Sequence, residues 1–399
     1  METISGKIRR LSDSQTLAMN QKSNDLKAKG VDVINLSVGE PDFNTPPHVK
    51  EAARKAIDDN FSFYSPVGGY PDLKQAVSDK LIRENNLSYP PSSIIVSNGA
   101  KHCIANALMV LVDDGDDVIV PAPYWVSYVE LVKLAGGNNI IIESSTETDF
   151  KITADQLEDA ITPKTKVLLL CSPNNPTGSV YSRDELAEFA EILARYPDIY
   201  VVSDEIYEHI NYLGSHESIT SFDEIRDRVV MVNGVSKAFA MTGWRIGYMA
   251  ASDVIIKACS KLQGQFTSGA SSIAQKAAIA ALNGDMAYTL KMKEAFRRRR
   301  DLVMERAGRI EGMKLSRPEG AFYLFPDISF YKGKKYEGGV IEDGNDFCMF
   351  LLDKAHVAAV PGEAFGAPLH IRISYAAGDA MLNEAFDRIE LALGKYLMI

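Results

Sequence analysis

Residues 229–247 read VVMVNGVSKAFAMTGWRIG and combine a strand pattern with a lysine in unusual surroundings. The run VVMVN is short, apolar and rich in β-branched residues, which is typical of a strand buried on both faces. Lys237 follows among small and apolar residues, where burial favours the free amine over the ammonium ion. This stretch alone leaves a second interpretation open, in which the lysine stem packs while its head group reaches water.

Further runs of the same kind precede this strand and alternate with helical patterns. They are SIIVS (93–97), DVIVP (117–121), NIIIE (139–143), KVLLLC (166–171) and IYVVSD (199–204). Each run is too short for a helix and is followed by a loop and then a helical pattern. Continuous apolar strands that alternate with helices predict an α/β fold with a mainly parallel sheet covered on both faces.

The pattern changes after about residue 285. A long helical pattern, YTLKMKEAFRRRRDLVMERAGRI, precedes short strand patterns and a terminal helix, which favours a smaller α+β domain. The first helix of the chain closes on Gly30 and has no sheet of its own nearby, so we expect it to pack with the C-terminal part. The predicted division is a large domain over 46–285 and a small domain formed by 1–45 and 286–399.

Charge and composition argue against several function classes. The 399 residues include 43 Lys and Arg against 53 Asp and Glu, a net charge of −10, which disfavours a nucleic-acid partner or a membrane surface. The basic run FRRRR (296–300) is expected to be a solvated helix face that pairs with nearby acids. The four cysteines are far apart and no HExxH motif occurs, so we expect no metal and a reducing compartment. The N-terminal residues lack an apolar signal core and no apolar run reaches membrane-spanning length, which predicts a cytoplasmic protein.

Polar and aromatic residues follow the predicted strands, at the edge where open parallel sheets bind ligands. Ala100 and Lys101 begin a helix whose free N–H groups suit a phosphate. Trp125 follows the next strand and can stack on a flat ring. The other strand ends contribute Asn175, Asp204 with Tyr207, and Lys237.

Each of these features has an ordinary structural explanation when it is taken alone: a capped helix, a core tryptophan, an ion pair or a turn. Because all of these residues are expected at one edge of the sheet, a separate structural explanation for each of them is disfavoured. Together they complement a pyridine ring that bears a phosphate, a phenol oxygen and an aldehyde. A carboxylate keeps the ring nitrogen protonated, and a lysine amine condenses with the aldehyde. The sequence therefore predicts pyridoxal 5′-phosphate as cofactor, with Lys237 as its attachment point and Arg245 as a phosphate clamp.

With these motifs the chain resembles the class I (fold-type I) pyridoxal-phosphate-dependent aspartate aminotransferases of the prokaryotic type. The resemblance covers nearly the whole chain, through GVDVINLSVGEPDFNTP, PYWVSY, SPNNPTG, SDEIYEH, SKAFAMTGWRIGY, AVPGEAFG and RISYA. It implies a large domain with a mainly parallel seven-stranded sheet between helices, plus a smaller α+β domain. It also implies ping-pong transfer of the amino group of L-aspartate to 2-oxoglutarate, giving oxaloacetate and L-glutamate.

The resemblance further implies a role for each matching residue. Lys237 carries the cofactor and then moves a proton from the substrate Cα, as a general base. Asp204 pairs with the pyridine nitrogen, Tyr207 and Asn175 hold the ring oxygen, and Trp125 stacks on the ring. The residues implied to bind the phosphate are Ala100 and Lys101 through their backbone, Ser236, Arg245, and Tyr64 reaching into the neighbouring subunit of a homodimer with shared active sites.

The substrate contacts are implied in the same way. Arg372 grips the substrate α-carboxylate bidentately, and Gly39 offers its backbone from a loop that closes over the substrate. Lys101 is the expected partner of the distal carboxylate. Asn175 and Trp125 complete the implied substrate-binding set.

Two departures from the family pattern affect these expectations. Relatives that also transaminate prephenate carry a basic residue where Ser12 stands and a threonine where Val38 stands, which lowers the expectation of prephenate activity, although Arg9 and Arg10 lie nearby. The segment 332–345 is longer and more acidic than the pattern, and is expected to be a mobile surface loop.

Alternative functions stay open at this point. They are an aminotransferase for aromatic, alanine-type or prephenate substrates, a C–S β-lyase, and a ligand-sensing regulator built on the same fold. The pair Lys101 and Arg372 favours dicarboxylic substrates, because each carboxylate needs a cationic partner. A regulator needs an N-terminal DNA-binding domain, and only about 45 residues precede the sheet region.

Overall fold

The structure is a computed structural model that describes residues 4–398. Its α-helices are α1 (Gly6–Arg9), α2 (Gln15–Ala28), α3 (Pro47–Asp58), α4 (Pro71–Asn85), α5 (Ala100–Leu111), α6 (Ser127–Ala135), α7 (Ala154–Asp159), α8 (Arg183–Ala194), α9 (Asp253–Phe266), α10 (Ser272–Asn283), α11 (Ala287–Gly308), α12 (Gly344–Phe350) and α13 (Asp379–Tyr396). Its strands are β1 (Ile34–Asn35), β2 (Ile94–Ser97), β3 (Asp117–Pro121), β4 (Asn138–Ile142), β5 (Thr165–Cys171), β6 (Tyr200–Asp204), β7 (Val229–Gly234), β8 (Gly247–Ala250), β9 (Tyr323–Leu324), β10 (Lys335–Tyr336), β11 (Gly339–Val340), β12 (Val357–Ala358), β13 (Val360–Pro361), β14 (Ile371–Ser374) and β15 (Leu397–Met398).

The central sheet has seven strands in the order β2-β8-β7-β6-β5-β3-β4. Strands β3 to β7 pair in parallel, whereas β8 is antiparallel to both of its neighbours. All six apolar runs singled out in the sequence form strands of this sheet, so the prediction of a mainly parallel sheet is confirmed. Strand β8 was not anticipated.

The prediction that a helical pattern follows every strand is wrong after β6 and β7. Short 3₁₀ turns at Ile219–Ser221 and Arg226–Arg228 lie between β6 and β7, and another at Thr242–Trp244 precedes β8. Strands β7 and β8 are antiparallel neighbours, so a short return replaces the crossover helix that parallel strands need. These irregular segments leave room at the sheet edge for the side chains of the site.

Apolar cores cover both faces of the central sheet. Alternate residues of β5 serve opposite faces: Val167 and Leu169 share a cluster with Leu108 of α5, whereas Leu168 and Leu170 pack with Phe189 of α8. Because side chains alternate along a strand, a strand covered on both sides needs an unbroken apolar run. This explains why the strands read as continuous hydrophobic stretches rather than as alternating ones.

The N-terminal segment contacts the C-terminal elements. Strand β1 pairs in parallel with β12, with Ile34 opposite Val357, and Met19 of α2 belongs to the same apolar cluster. The C-terminal part also contains the sheet β13-β14-β9, which carries Arg372, and the sheet β11-β10-β15. The division into a large domain over 46–285 and a small domain of 1–45 with 286–399 stays a prediction.

The segment 332–345 is not simply a loop, so that expectation is wrong. Strands β10 and β11 form a hairpin, and β10 also pairs with β15 near the C-terminus. Gly338 and Gly339 have φ values of 135° and 158°, which allow the tight reversal between the two strands. The ring of Tyr336 packs edge-on against Phe350 at a centroid distance of 5.0 Å, which fixes the hairpin to the apolar core.

The basic run 296–300 lies on α11 and makes the expected ion pairs, but it is not entirely a solvated face. Arg299 and Arg300 are only 7% and 6% exposed. Arg299 pairs with Asp42 at 2.7 Å and with Asp379 of α13 at 3.2 Å, so it links the loop after β1 to two helices. None of the helices over residues 4–398 is long and apolar enough to cross a membrane.

Candidate active site

A cavity of about 430 Å³ opens at the carboxyl edge of the central sheet. Its lining includes every residue predicted for the site except one: Gly39, Ala100, Lys101, Trp125, Asn175, Asp204, Tyr207, Ser236, Lys237, Arg245 and Arg372. The exception is Tyr64, which lies outside this cavity and is 99% exposed. The convergence follows from topology, because the carboxyl ends of parallel strands meet at one edge.

One end of the cavity is suited to an anion. Gly99 precedes α5 with φ of +87° and has no side chain to cap the first-turn N–H groups of Ala100 and Lys101. The Arg245 guanidinium lies so close to Gly99 that a Cβ there would collide with it. Arg245 donates to the carbonyl oxygens of Thr242 (3.0 Å) and Asn98 (3.3 Å), and it forms no ion pair with any described residue. A helix N-terminus, an uncompensated guanidinium and the adjacent Ser236 match a phosphate.

Asp204 lies at the end of β6 and is 4% exposed. The Tyr128 hydroxyl donates to its Oδ2 at 2.7 Å, and the Ile206 N–H donates to its Oδ1 at 3.2 Å. Burial raises the pKa of Asp204 to about 6, and these hydrogen bonds oppose the rise. A buried carboxylate with little positive charge nearby favours a protonated ring nitrogen as its partner.

Lys237 follows β7, and its Nζ donates to the carbonyl oxygen of Gly39 at 2.6 Å. Burial lowers the pKa of Lys237 to about 8, and Arg372 and Arg245 lower it further while Glu40 raises it. A depressed pKa makes the free amine more available as a nucleophile and base. The amine thus lies on the cavity lining, hydrogen-bonded to the Gly39 carbonyl, and the nucleophilic role of Lys237 stays a prediction.

Arg372 lies on β14 and is 2% exposed. Its Nη1 donates to Asn175 Oδ1 at 3.0 Å and its Nη2 donates to the Ser37 carbonyl oxygen at 2.7 Å, whereas its Nε has no partner. Burial lowers its pKa, and no described carboxylate pairs with it. A buried guanidinium without a carboxylate partner suits a carboxylate ligand, so the substrate-binding role of Arg372 stays a prediction.

Lys101 is a second cationic residue of the lining. The Nζ of Lys101 lies 4.8 Å from the centroid of the Trp125 ring. Partial burial lowers the pKa of Lys101, and the nearby Arg245 lowers it as well. The cavity thus combines two cationic side chains, an aromatic face and an amine.

Two tyrosines of the lining were not identified from the sequence. Tyr128 stands three residues after Trp125 at the start of α6, so helical spacing could have placed both on one face. Tyr323 lies on β9, and its hydroxyl is 2.7 Å from that of Tyr207. Nothing local indicated Tyr323, because its position depends on the pairing of β9 with β14.

Comparisons with known proteins agree with this geometry. Residues 31–389 match the family model "Aminotransferase class I and II". The chain is 48% identical to a bifunctional aspartate aminotransferase and glutamate/aspartate-prephenate aminotransferase of Petunia hybrida, covering 98% of this chain and 83% of the relative. It is 44% identical to an aspartate aminotransferase of Bacillus subtilis, covering 98% of this chain and 99% of the relative.

Solved structures give the same picture. The aspartate aminotransferase from Rhizobium meliloti superposes with a TM-score of 0.95 at 42% identity, covering 99% of this chain and 100% of the other. The aspartate aminotransferase from Thermus thermophilus, solved with maleate, superposes with a TM-score of 0.93 at 41% identity, covering 98% of this chain and 100% of the other. These matches confirm the predicted fold, and the cavity offers a partner for each polar group of pyridoxal 5′-phosphate. The chain belongs to the class I and II aminotransferase family of pyridoxal-phosphate-dependent enzymes.

Proposed function

We propose that the protein transfers the amino group of L-aspartate to 2-oxoglutarate, with oxaloacetate and L-glutamate as products. The observation that carries this proposal is Arg372, a buried guanidinium without a carboxylate partner, in one cavity with Lys101. A dicarboxylic substrate needs two cationic groups, one for each carboxylate. The aspartate aminotransferases at 41–48% identity support the same substrate class.

When bound, pyridoxal 5′-phosphate supplies the aldehyde that takes up the amino group and the ring that accepts electrons from the substrate. The residues of this chain that would hold it are the backbone of Ala100 and Lys101 with Ser236 and Arg245 at the phosphate, Asp204 at the ring nitrogen, Trp125 at the ring face, and Asn175 and Tyr207 at the ring oxygen.

The remaining lining residues act on the substrate. Arg372 binds the α-carboxylate through its guanidinium, which the hydrogen bonds to Asn175 Oδ1 and the Ser37 carbonyl oxygen hold in a fixed orientation. Lys237, with its lowered pKa, removes the proton from the substrate Cα. It holds this proton for the second proton transfer of the same half-reaction. The Gly39 carbonyl, which accepts from Lys237 Nζ, keeps the amine beside the substrate until the base acts.

We further propose a homodimer with shared sites. Phe63, Tyr64 and Phe266 are 81%, 99% and 68% exposed, which is unusual for aromatic side chains on a monomer. A hydrogen bond from Ser272 Oγ to the Phe63 carbonyl oxygen ties this segment to the start of α10, and Arg245 lines the neighbouring depression. A second copy seated here would place its Tyr64 beside the phosphate end. We also propose a cytoplasmic location, which the four buried free cysteines support.

A single half-reaction tests the proposed function. Purified protein loaded with cofactor is mixed with L-aspartate in the absence of a keto acid, and the visible absorbance and released oxaloacetate are followed. We expect one oxaloacetate per active site, and no reaction from Lys237→Ala. A loaded protein that ignores aspartate but reacts with aromatic amino acids or alanine, or that releases pyruvate from cystathionine, would refute the assignment.

Prephenate is the competing acceptor to include in this test, because the Petunia relative carries that activity in its name. Val38 lines the cavity and offers no side-chain hydrogen bond. Ser12 is engaged through its N–H with Glu130 at 2.9 Å and supplies no cation. We therefore expect prephenate turnover well below that of 2-oxoglutarate.

A further inference from the structure

The hydroxyl groups of Tyr207 and Tyr323 form a buried pair between two sheets. They lie 2.7 Å apart, and the side chains are 3% and 0% exposed. Tyr207 follows β6 of the central sheet, whereas Tyr323 begins β9 and stands opposite Ser374 of β14. Tyr323 is therefore fixed to β14, the strand that carries Arg372. Its hydroxyl reaches Tyr207, the residue implied to hold the cofactor ring oxygen.

Counting protons gives the direction of this hydrogen bond. Each phenol has one proton to donate. Around Tyr323, the Arg372 guanidinium lies 4.5 Å from the ring centroid and can only donate, and Gly39 presents its Cα. Within residues 4–398, the Tyr207 oxygen is the hydrogen-bond partner found for the Tyr323 hydroxyl. Both tyrosines line the cavity, but Tyr323 faces the Arg372 guanidinium, which cannot accept, whereas Tyr207 is implied to face the cofactor ring oxygen, which can. With the cofactor bound, both protons therefore have an acceptor only if Tyr323 donates to Tyr207.

The proton of Tyr207 is then free to point elsewhere. Tyr207 lines the cavity, and its ring centroid lies 5.7 Å from Lys237 Nζ. Because Tyr207 already accepts from Tyr323, its own proton is directed into the cavity. A hydroxyl that accepts a hydrogen bond is also a stronger donor, since hydrogen bonds in a chain polarise one another.

We propose that Tyr323 is a positioning residue of the transamination site: it donates to Tyr207 and thereby directs the Tyr207 proton to the ring oxygen of the cofactor. The proposal rests on the proposed function in one respect, namely that the cofactor oxygen lies beside Tyr207. It also explains why residue 39 is glycine, because a Cβ at Gly39 would lie 2.6 Å from the Tyr323 hydroxyl oxygen and would displace it.

The test is a pH titration of the visible absorbance of the loaded protein, which reads the bound cofactor without turnover. A donor on the ring oxygen withdraws negative charge, so the neighbouring nitrogen linked to Lys237 releases its proton at lower pH. Tyr323→Phe keeps the ring over Arg372 but removes the donor to Tyr207. We expect the absorbance midpoint to rise by roughly 0.3 to 1 pH unit, the equivalent of one ordinary hydrogen bond.

A double-mutant comparison shows whether Tyr323 acts through Tyr207. Tyr207→Phe should raise the midpoint further, and the double variant should have the midpoint of Tyr207→Phe alone. Tyr331→Phe is the matched control, because Tyr331 is also buried and its hydroxyl donates to the Glu311 carbonyl oxygen, away from the cavity. Its midpoint should equal that of the wild type.

Two results would overturn the proposal: no shift in Tyr323→Phe, or a shift that persists unchanged when Tyr207 is already phenylalanine. Failure of the proposed function looks different. In that case the wild-type protein shows no pH-dependent cofactor band, or it shows the band and does not react with aspartate.

Discussion

The protein without cofactor should become more stable when Asp204 is replaced by Asn. Asp204 is 4% exposed, and burial raises its pKa from 3.8 to about 6. For an acid whose pKa is raised by folding, the folded state binds more protons than the unfolded state between these two values, so stability falls as pH rises through this window. The separation corresponds to about 3 kcal/mol lost at neutral pH, at about 1.36 kcal/mol per unit.

Asn keeps the local hydrogen bonds, because its oxygen can accept from Ile206 N–H and its amide can donate to the Tyr128 oxygen. Urea unfolding of the cofactor-free wild type and of Asp204→Asn should therefore be compared at pH 4.5 and pH 7.5. We expect the variant to be more stable by about 1 kcal/mol at pH 4.5 and by about 3 kcal/mol at pH 7.5, together with weaker cofactor binding. Equal stability of the wild type and the variant at both pH values would refute the argument that an ionised Asp204 destabilises the fold when no cofactor ring nitrogen pairs with it.

Four further substitutions probe other parts of the structure. Arg372→Lys loses the planar guanidinium and should reduce kcat/KM for aspartate by roughly 30- to 300-fold in steady-state assays; a change below tenfold would contradict the bidentate grip. Lys101→Met should weaken aspartate much more than alanine as amino donor, and equal losses for both would place the distal carboxylate elsewhere. Gly99→Ala, at φ of +87° and against Arg245, should weaken cofactor binding about tenfold or more in a titration of the cofactor-free protein, and unchanged affinity would show that the cradle tolerates a side chain. Leu168→Ala, a fully buried position on β5, should lower the free energy of unfolding by about 3 kcal/mol in urea, and a loss under 1 kcal/mol would mean that the core refills.

Much of the central sheet could be predicted from the sequence, because its strands are buried on both faces. VLLL of β5 and VVMV of β7 are apolar at every position, and such runs fit few other structures. The carboxyl-end rule then brings Asp204 and Lys237 to one edge without further information. The specific roles, however, came from the resemblance and not from the pattern.

The features that escaped prediction depend on contacts between distant segments. Tyr323 reaches the site because β9 pairs with β14, and no local signal reports that pairing. Arg299 looked like part of an exposed basic run, yet it is buried because Asp42, more than 250 residues earlier, supplies a carboxylate. Strand β8 was missed because its sequence, GYMA, has no β-branched residue and its direction is set by neighbours on both sides.

That inserted strand has a consequence for engineering. Gly247 pairs with Ser97 on one side and with Gly234 on the other, and a Cβ there would strike the backbone at Gly99 and Ala100. A single residue that is absent from the cavity lining therefore sets the spacing between the segment that cradles the phosphate and the segment that leads to Lys237. Attempts to adapt this scaffold to a longer or shorter cofactor must therefore change Gly247 first, because changes to the lining alone leave the two segments at a fixed separation.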